Sequence, residues 1–491
     1  MNKQYDIIII GGGPAGIFAA YELSHKAPAL KVALLEEGHA IRDRRCPISE
    51  GKVAHCINCK PCSIMRGFGG AGAFSDGKYN FTTQFGGWLT DYLPEKKIEE
   101  LIDYVDAINL KYGAPREFFS TKNSTIGKKA LQHGLHLLEA KVRHLGTENN
   151  YHILEQISDV LDERIDMTFH TKVISVDKRE DGTFCVHTDK GDYEAAYVIA
   201  APGRSGAEWF ATECRRLGLD LVNNQVDVGV RVEIPAAVFE HITDEVYEAK
   251  LVYRTKAYGD LVRTFCMNPK GYVVAENTDG IVTVNGHSYR EASRHSKNTN
   301  FALLVSNRFT EPFCEPIQYG KKIASFSNML GGGVLVQRFG DLIKGRRTNE
   351  HRLAQSFTKP TLAATAGDLS LVLPKRHLDN IIEMIYALDR IAPGMANDDT
   401  LLYGVEVKFY SSRLKLTSEL ETQIPGFFAI GDGAGVTRGL SQAGASGVHA
   451  ARSILTRIGG NEISKRGFSE EKSSQAKARS QNAANSQAVA S

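Results

Sequence analysis

The sequence lacks any apolar stretch long enough to span a bilayer and lacks a strong net charge of either sign. The apolar run over 7–10 is therefore predicted to be a buried strand. A net charge of +2 gives no overall argument for a nucleic-acid or anionic-membrane partner. The basic, apolar and cleavage regions of a signal peptide are missing from the first residues. We therefore expect a cytoplasmic protein without a membrane span.

Ordinary globular composition accompanies these absences. The chain has 491 residues, of which 42% are apolar and 24% charged. This length is enough for about two or three domains with a sizeable core. The eight cysteines, without an export signal, are expected to be reduced thiols available for metal or redox chemistry.

The first forty residues show a strand, a glycine-rich turn, a helix and a second strand. Glycines stand at positions 11, 13 and 16, and Glu36 follows the second strand. In this pattern Gly11 permits the tight turn, Gly13 lets the backbone approach a pyrophosphate, and Gly16 lets the helix pack on its strand. The helix N-terminus attracts the phosphate, and Glu36 would accept hydrogen bonds from a ribose. These residues predict a dinucleotide site.

Half of the cysteines lie within seventeen residues, at Cys46, Cys56, Cys59 and Cys62. The last three form CxxCxxC, a spacing that lets thiolates converge on one metal centre. The run is shorter than two separated CxxC knuckles, which favours an iron–sulfur cluster over zinc. Free or disulfide-exchanging thiols are the alternative.

The next stretch, 66–78, is dense in glycine and ends in Ser75, Asp76, Gly77 and Lys78. No apolar strand leads into it, so a second dinucleotide fold is not predicted here. Such glycine density indicates backbone at positive φ or backbone close to a flat ligand ring. A purely structural turn is the alternative.

Periodicity then divides the rest of the chain. Helices are predicted over most of 94–148, including a helical spacing of Leu131, Leu135, Leu137 and Leu138. Strands are predicted from Asp166 to about 203, and an antiparallel sheet over about 221–410. Cys266 is expected to be buried and inert.

The strand that ends in Gly431 and Asp432 is followed by a small-residue helix. An aspartate at such a strand end can bind a ribityl hydroxyl, although it can also be a simple cap. After Gly460 the chain has no apolar periodicity, and we expect it to be disordered.

These motifs resemble FAD-binding proteins of the glutathione-reductase superfamily. The resemblance rests on the fingerprint at 11–16, Glu36, the strand at Val173, the turn at 200–203 and the motif at 430–432. The segments 46–62, 69–78, 226–233 and 265–274 look more closely like the uncharacterised bacterial FAD-dependent dehydrogenases, which are related to geranylgeranyl reductase-like flavoproteins.

The resemblance implies a noncovalent FAD. It places Gly11, Gly13, Pro14 and Ala15 at the pyrophosphate, Glu36 at the adenosine ribose, Val173 at the adenine, and Gly431 with Asp432 at the ribityl-pyrophosphate region.

An α/β fold is also implied, with a three-layer, discontinuous Rossmann-like FAD domain and an inserted, mainly antiparallel substrate domain. The expected pieces are an FAD domain (1–80, 150–218, 412–460), a helical insertion (81–149), a substrate or cap domain (219–411) and a disordered tail (461–491).

The leading functional prediction is an FAD-dependent oxidoreductase that transfers a hydride between FAD and an unidentified small molecule. The alternatives are a flavin and iron–sulfur electron-transfer or redox-sensing protein with a partner protein, and a flavin-dependent RNA-modifying enzyme. The near-neutral charge does not support the RNA alternative. No catalytic residue is assigned; Asp76, Lys78 and Arg231 are the nearest guesses.

Two departures from glutathione reductase narrow this prediction. The chain has no CxxxxC disulfide early in the first domain and no second strand-framed glycine fingerprint. We therefore expect neither disulfide reductase activity nor a separate NAD(P)H domain, and NAD(P)H as an external reductant is left open.

Overall fold

The structure is a computed structural model that describes residues 3–48, 50–53, 57, 59–75, 77–222, 225–278, 280–289, 291–307, 313, 315–409 and 413–459. Cys56, Asp76 and the predicted disordered tail lie outside the described residues.

The described chain contains 22 strands and 11 helices. The strands are β1 Lys3–Ile10, β2 Val32–Leu35, β3 Lys78–Phe81, β4 Phe119–Ser120, β5 Leu135–Leu137, β6 Lys141–His144, β7 Asp166–Thr168, β8 Val173–Lys178, β9 Phe184–Thr188, β10 Gly191–Ala200, β11 Leu221–Val222, β12 Val226–Pro235, β13 Leu251–Arg254, β14 Leu261–Asn268, β15 Tyr272–Thr278, β16 Ile281–His287, β17 Asn298–Asn307, β18 Leu335–Arg338, β19 Thr365–Ala366, β20 Leu401–Phe409, β21 Arg413–Leu414 and β22 Phe427–Ala429. The helices are α1 Pro14–Lys26, α2 Glu95–Lys111, α3 Thr125–Gln132, α4 Thr147–Asp162, α5 Ala207–Arg216, α6 Ala236–Val246, α7 Pro316–Gly331, α8 Phe339–Ile343, α9 Glu350–Gln355, α10 Lys375–Asp389 and α11 over 440–459. Within the described chain, no helix is both long enough and apolar enough to cross a membrane.

The first sheet has the order β7-β2-β1-β10-β9-β8, and β22 pairs with the last part of β10. β7, β2, β1, β10 and β22 run parallel, whereas β9 pairs antiparallel with both β10 and β8. Ile10, Leu35 and Ala200 are in register. Because parallel strands end at one edge, the turns after β1, β2, β10 and β22 meet there, which is where a doubly wound sheet holds its ligand.

The second sheet has eight strands in the order β19-β18-β20-β12-β17-β14-β13-β5. All of its pairs are antiparallel except β18 with β19. Its central strand, β12, alternates valine with polar residues and is buried almost throughout. Helices α6 and α10 pack on the valine side of β12, and β16 lies against the side that carries Arg231. The predicted α/β class with an antiparallel second sheet is confirmed.

The segment predicted to be helical over 94–148 is only partly so. α2 is present, but α3 ends at Gln132. The predicted helical spacing of Leu131, Leu135, Leu137 and Leu138 is wrong, because Leu135–Leu137 is strand β5 and pairs with β13. In β5 both leucines are buried and the intervening His136 is exposed, a period of two. The proposed domain boundaries stay a prediction.

Candidate functional site

The turn between β1 and α1 leaves no room for side chains at two of its glycines. Gly11 has a φ of +104°, and a Cβ there would lie 2.2 Å from the Ala201 oxygen. A Cβ at Gly16 would lie 2.0 Å from the Gly11 oxygen. Gly13 differs, since a Cβ there would meet nothing within 4 Å. The space in front of Gly13 is therefore open, and α1 begins beside it without a side-chain cap. This arrangement suits a pyrophosphate.

Glu36 ties this turn to the neighbouring segments. Its Oε2 accepts a hydrogen bond from the Gly12 backbone N–H at 2.7 Å. Its Oε1 accepts from the Gly38 and Gly67 N–H groups at 2.8 and 2.9 Å. Since a carboxylate offers about four acceptor positions, one remains for a ribose hydroxyl. Sequence reasoning missed this structural role, and the predicted ribose contact stays a prediction.

Val173, the first residue of β8, lies at the same end of the site as Glu36. Thr171, two residues earlier, donates its backbone N–H to the Glu36 carbonyl oxygen at 2.9 Å. Val173, Thr171 and Glu36 all line one cavity. The predicted adenine contact thus falls next to the predicted ribose contact.

Asp432 follows β22 at the meeting edge of the first sheet, directly after Gly431, whose φ is +75°. Its Oδ1 accepts hydrogen bonds from the Thr437 hydroxyl at 2.8 Å and the Gly439 N–H at 3.2 Å. Burial raises the pKa of Asp432, and Arg204 opposes the shift. Hydroxyl donors would stabilise such a half-buried carboxylate, so the residue fits a ribityl hydroxyl.

The glycine-rich loop predicted to face a flat ligand packs on the glycine turn. Gly69 donates its N–H to the Gly12 carbonyl oxygen at 2.7 Å. A Cβ at Gly70, which has a φ of +56°, would lie 3.2 Å from the Gly13 Cα. The two backbones are therefore in contact, and the loop borders the open space at Gly13. Asp76, one of the three guesses for a catalytic residue, lies outside the described residues.

Arg44 is hydrogen-bonded to this loop and to the segment before it. Its guanidinium is buried and donates to the carbonyl oxygens of Ser63, Ile64, Phe68 and Gly70. Burial lowers its pKa to about 10, with Glu36 opposing the shift. Sequence reasoning missed Arg44, because a single arginine outside any motif carries no local signal.

One cavity of about 1050 Å³ joins all of these elements. It is bordered by the glycine turn, by Glu36 and Val173 at one end, and by Asp432 at the edge of the first sheet. Its opposite wall comes from β3, the loop after it, the segment just before β13, and β14. That wall includes Lys78, Phe85, Glu248, Lys250, Arg263, Phe265 and Cys266. The predicted site residues are thus brought together, and the second sheet closes the space beside them.

A buried group of charges forms this opposite side, which we call the charged wall: Lys78, Glu248, Lys250 and Arg263, with Asp227 behind them. The Lys78 and Lys250 Nζ atoms lie 3.5 and 3.6 Å from the two Glu248 oxygens. Arg263 pairs with Asp227. Burial lowers the pKa of Lys250, whereas for Glu248 burial is outweighed by the two ammonium groups and the net pKa shift is downward. The signal was the alternation Glu248-Ala249-Lys250 immediately before β13, which sequence reasoning missed.

Two of the remaining predictions concern β12 and β14. Arg231 is fully buried and donates to Asn300 Oδ1 at 2.9 Å and to the Cys266 carbonyl oxygen at 2.7 Å. It does not border the cavity, so its arrangement is that of a structural residue.

Cys266 was expected to be buried and inert; instead it is half-buried, has a φ of +49° and lines the cavity. The β-bulge between Phe265 and Asn268 explains this orientation.

The cysteine run lies just before the glycine-rich loop. Cys46, Cys59 and Cys62 are half-buried free thiols, and Cys56 is outside the described residues. Within the described chain, the three potential metal ligands that lie within 4.8 Å of one another are Cys185, His187 and Asp192. A metal at Cys46, Cys56, Cys59 and Cys62 stays a prediction.

Comparison with protein-family models gives two matches. Residues 225–409 match the family described as FAD-dependent protein, C-terminal domain-like. Residues 2–42 match the Thi4 family. Comparison with curated proteins gives no match.

Solved structures resemble the chain at low identity. Glycine oxidase from Geobacillus kaustophilus is 12% identical over 93% of this chain and 94% of its own, with a TM-score of 0.34. L-proline dehydrogenase from P. horikoshii is 10% identical over 93% and 94%, with a TM-score of 0.40. A geranylgeranyl bacteriochlorophyll reductase-like protein from Thermoplasma acidophilum is 13% identical over 94% and 80%, with a TM-score of 0.39. We transfer no residue or substrate from them.

The opening at Gly13, the uncapped start of α1 and the half-buried carboxylate of Asp432 fit a dinucleotide cofactor that extends along one sheet edge. The segment over 225–409, which supplies most of the opposite wall, is similar to FAD-dependent proteins.

Proposed function

We propose that the chain transfers a hydride between FAD and a small molecule seated against the charged wall. The observation that carries this proposal is the single cavity that reaches from Gly13 in the first domain to Lys250 in the second. When bound, FAD supplies the hydride acceptor or donor. The protein's part is to bind, orient and exclude water, and the residues bordering the cavity are arranged for these tasks.

The cofactor would be held by four residues along the first sheet. Gly13 leaves space for the pyrophosphate, and the α1 N-terminus provides N–H groups and positive potential for it. Glu36 would accept from the ribose, and Val173 would lie at the adenine. Asp432 would accept from a ribityl hydroxyl. Each of these roles follows from the burial, openness or hydrogen-bonding capacity described above.

The loop over 82–88 links the two sides of the cavity. Gly86 accepts a hydrogen bond from the Arg438 N–H at 2.6 Å, and Trp88 donates its N–H to the Val436 carbonyl oxygen at 2.9 Å. Phe85 in the same loop lies under the Lys250 ammonium, 3.6 Å from its ring centroid. The loop therefore connects the turn after Asp432 to the charged wall and helps to keep water from the site.

The test is flavin analysis followed by a substrate screen. Protein purified under anaerobic conditions should contain near-stoichiometric FAD, identified after release by chromatography. Small molecules are then screened for bleaching of the flavin absorbance, and for reoxidation of the chemically reduced protein. A folded protein that neither contains FAD nor binds added FAD would overturn the proposal.

An electron-transfer role is the second candidate, because the cysteine run is close to the cavity. The Cys62 carbonyl oxygen accepts hydrogen bonds from the Met65 and Arg66 N–H groups at 3.1 and 2.9 Å. Met65 and Arg66 both line the cavity. A cluster at Cys62 would therefore sit one turn of chain from the flavin site, where it could exchange electrons with a partner protein.

A further inference from the structure

The charged wall places two lysines around one carboxylate. Lys78 and Lys250 share Glu248, and the neighbouring Arg263 is paired with Asp227. Buried ion pairs are favourable only where the charged groups also have hydrogen-bond partners in good geometry.

Lys250 is the member of this group with an unsatisfied ammonium. Its side chain is only 9% exposed, and its distance of 3.6 Å to Glu248 is longer than a hydrogen bond. Within the described residues, no oxygen lies at hydrogen-bonding distance from its Nζ. Lys78, in contrast, donates to the Met267 carbonyl oxygen at 2.7 Å. A buried ammonium that borders a cavity without an acceptor has room for one from a ligand.

The carboxylate in this group is also incompletely used. Glu248 is 4% exposed, and its Oε2 has no hydrogen-bond partner among the described residues. The nearest cation to this oxygen is Lys78, at 3.5 Å. Glu248 therefore lies beside Lys250 without forming a close hydrogen bond to it.

Aromatic rings frame the unsatisfied ammonium. Lys250 Nζ lies 3.6 Å from the Phe85 ring centroid and 5.2 Å from that of Phe265. Both rings border the cavity. They stabilise the cation, and they also provide apolar surface for the body of a ligand whose charged end meets Lys250.

We propose that the charged wall binds an anionic oxygen group of the substrate, a carboxylate or a phosphate, and that Lys250 is its principal contact. This inference rests on the proposed function, because it assigns the substrate class for the same site. The bound anion would supply the acceptor that the Lys250 ammonium lacks among the described residues. The substrate is accordingly a small acid with an apolar body.

The test uses the FAD-loaded protein and three probes of similar shape: benzoate, phenyl phosphate and the neutral benzamide. Each is titrated while the visible flavin spectrum is recorded at constant ionic strength. We expect benzoate or phenyl phosphate to change the spectrum saturably and benzamide to bind at least about tenfold more weakly. Which anion binds more tightly identifies the head group. Equal binding of benzoate, phenyl phosphate and benzamide would overturn the proposal, and this comparison needs no variant.

A variant then locates the contact. Lys250→Gln should weaken binding of the preferred anion at least about tenfold, whereas Lys375→Gln should not, because Lys375 is exposed on α10. Unchanged anion binding in Lys250→Gln would overturn the assignment of Lys250. A lowered flavin reduction potential with unchanged anion binding would show that Lys250 serves the reduced flavin instead.

The proposed function and this inference fail differently. Protein without FAD contradicts the function, whereas protein with FAD but without anion preference contradicts only the inference.

Discussion

The carboxylate of Glu36 lies 2.7 Å from the backbone nitrogen of Gly12 and accepts its hydrogen bond. The acid after β2 therefore fixes the glycine turn after β1, in addition to any contact with a ribose. The same carboxylate accepts from Gly67, so the glycine-rich loop is fixed by it as well. One side chain thus aligns three backbone segments around the cofactor site.

Glu36→Gln should therefore lower the stability of the FAD-free protein and also weaken its binding of FAD. Glutamine has one acceptor oxygen where glutamate has two, so at least one buried N–H loses its partner, at a cost of about 1–3 kcal/mol. Unfolding of the FAD-free protein in urea and the FAD dissociation constant are the two measurements. If only FAD affinity falls, the carboxylate acts on the ribose alone and the structural role described here is wrong.

Gly13→Ala should abolish or strongly weaken FAD binding while leaving the FAD-free fold intact. A Cβ at Gly13 meets no protein atom within 4 Å, and the residue has an ordinary φ of −77°. The methyl group would instead occupy the space assigned to the pyrophosphate. Gly333→Ala is the matched control, because a Cβ there also meets nothing within 4 Å. Full FAD affinity in Gly13→Ala would show that the pyrophosphate does not lie at Gly13.

Arg231→Gln should destabilise the fold by about 3–5 kcal/mol, because it leaves buried Glu406 without one of its cations. Arg231 does not border the cavity, so correctly folded variant protein should keep its affinity for FAD. Arg42→Gln, in an exposed pair with Asp159, is the control and should change stability little. Denaturant unfolding and FAD titration separate the two effects; a specific loss of FAD with normal stability would contradict the assignment.

The protein should lose stability as the pH falls from about 6.5 towards 4, in part through His377. Burial lowers the pKa of His377 to about 4, and neither ring nitrogen has a hydrogen-bond partner among the described residues. In this pH range the unfolded chain binds a proton at His377 and the folded chain does not. The free energy of unfolding therefore falls by about 3 kcal/mol over this interval. At pH 7 and above the contribution is fully retained.

The measurement is the free energy of unfolding between pH 4 and 7 for wild type and His377→Leu. The variant should show a smaller loss on acidification. His152→Leu, at an exposed position, should follow the wild-type pH dependence. An identical slope in His377→Leu would show that other groups account for the acid sensitivity.

Iron and zinc content should be measured by elemental analysis of protein purified without oxygen. Near-stoichiometric iron that disappears when Cys56, Cys59 and Cys62 become serine would support the electron-transfer candidate. Zinc in place of iron would indicate a structural site. Absence of both metals, with retained FAD, would contradict the predicted metal site and leave the thiols as ordinary residues of the loop.

The local motifs of the cofactor site could be predicted from the sequence, whereas the charged wall could not. Gly11, Gly13 and Asp432 stand at strand ends with fixed spacing, so their common edge follows from the order of elements. Lys250 belongs to no motif, and its meaning comes from burial beside Glu248. β5 was missed for a related reason, because three residues form a strand there only through pairing with β13.

The last strand of the first sheet has a consequence for biosynthesis. β22 pairs with Val198, Ile199 and Ala200 of β10, yet every strand of the second sheet except β5 is translated between them. Translation proceeds at about 5–20 residues per second, so the edge of β10 that pairs with β22 stays unpaired for on the order of tens of seconds. Asp432 emerges from the ribosome later still. The nascent chain can therefore complete its cofactor site only near the end of translation, and the second sheet has time to fold first.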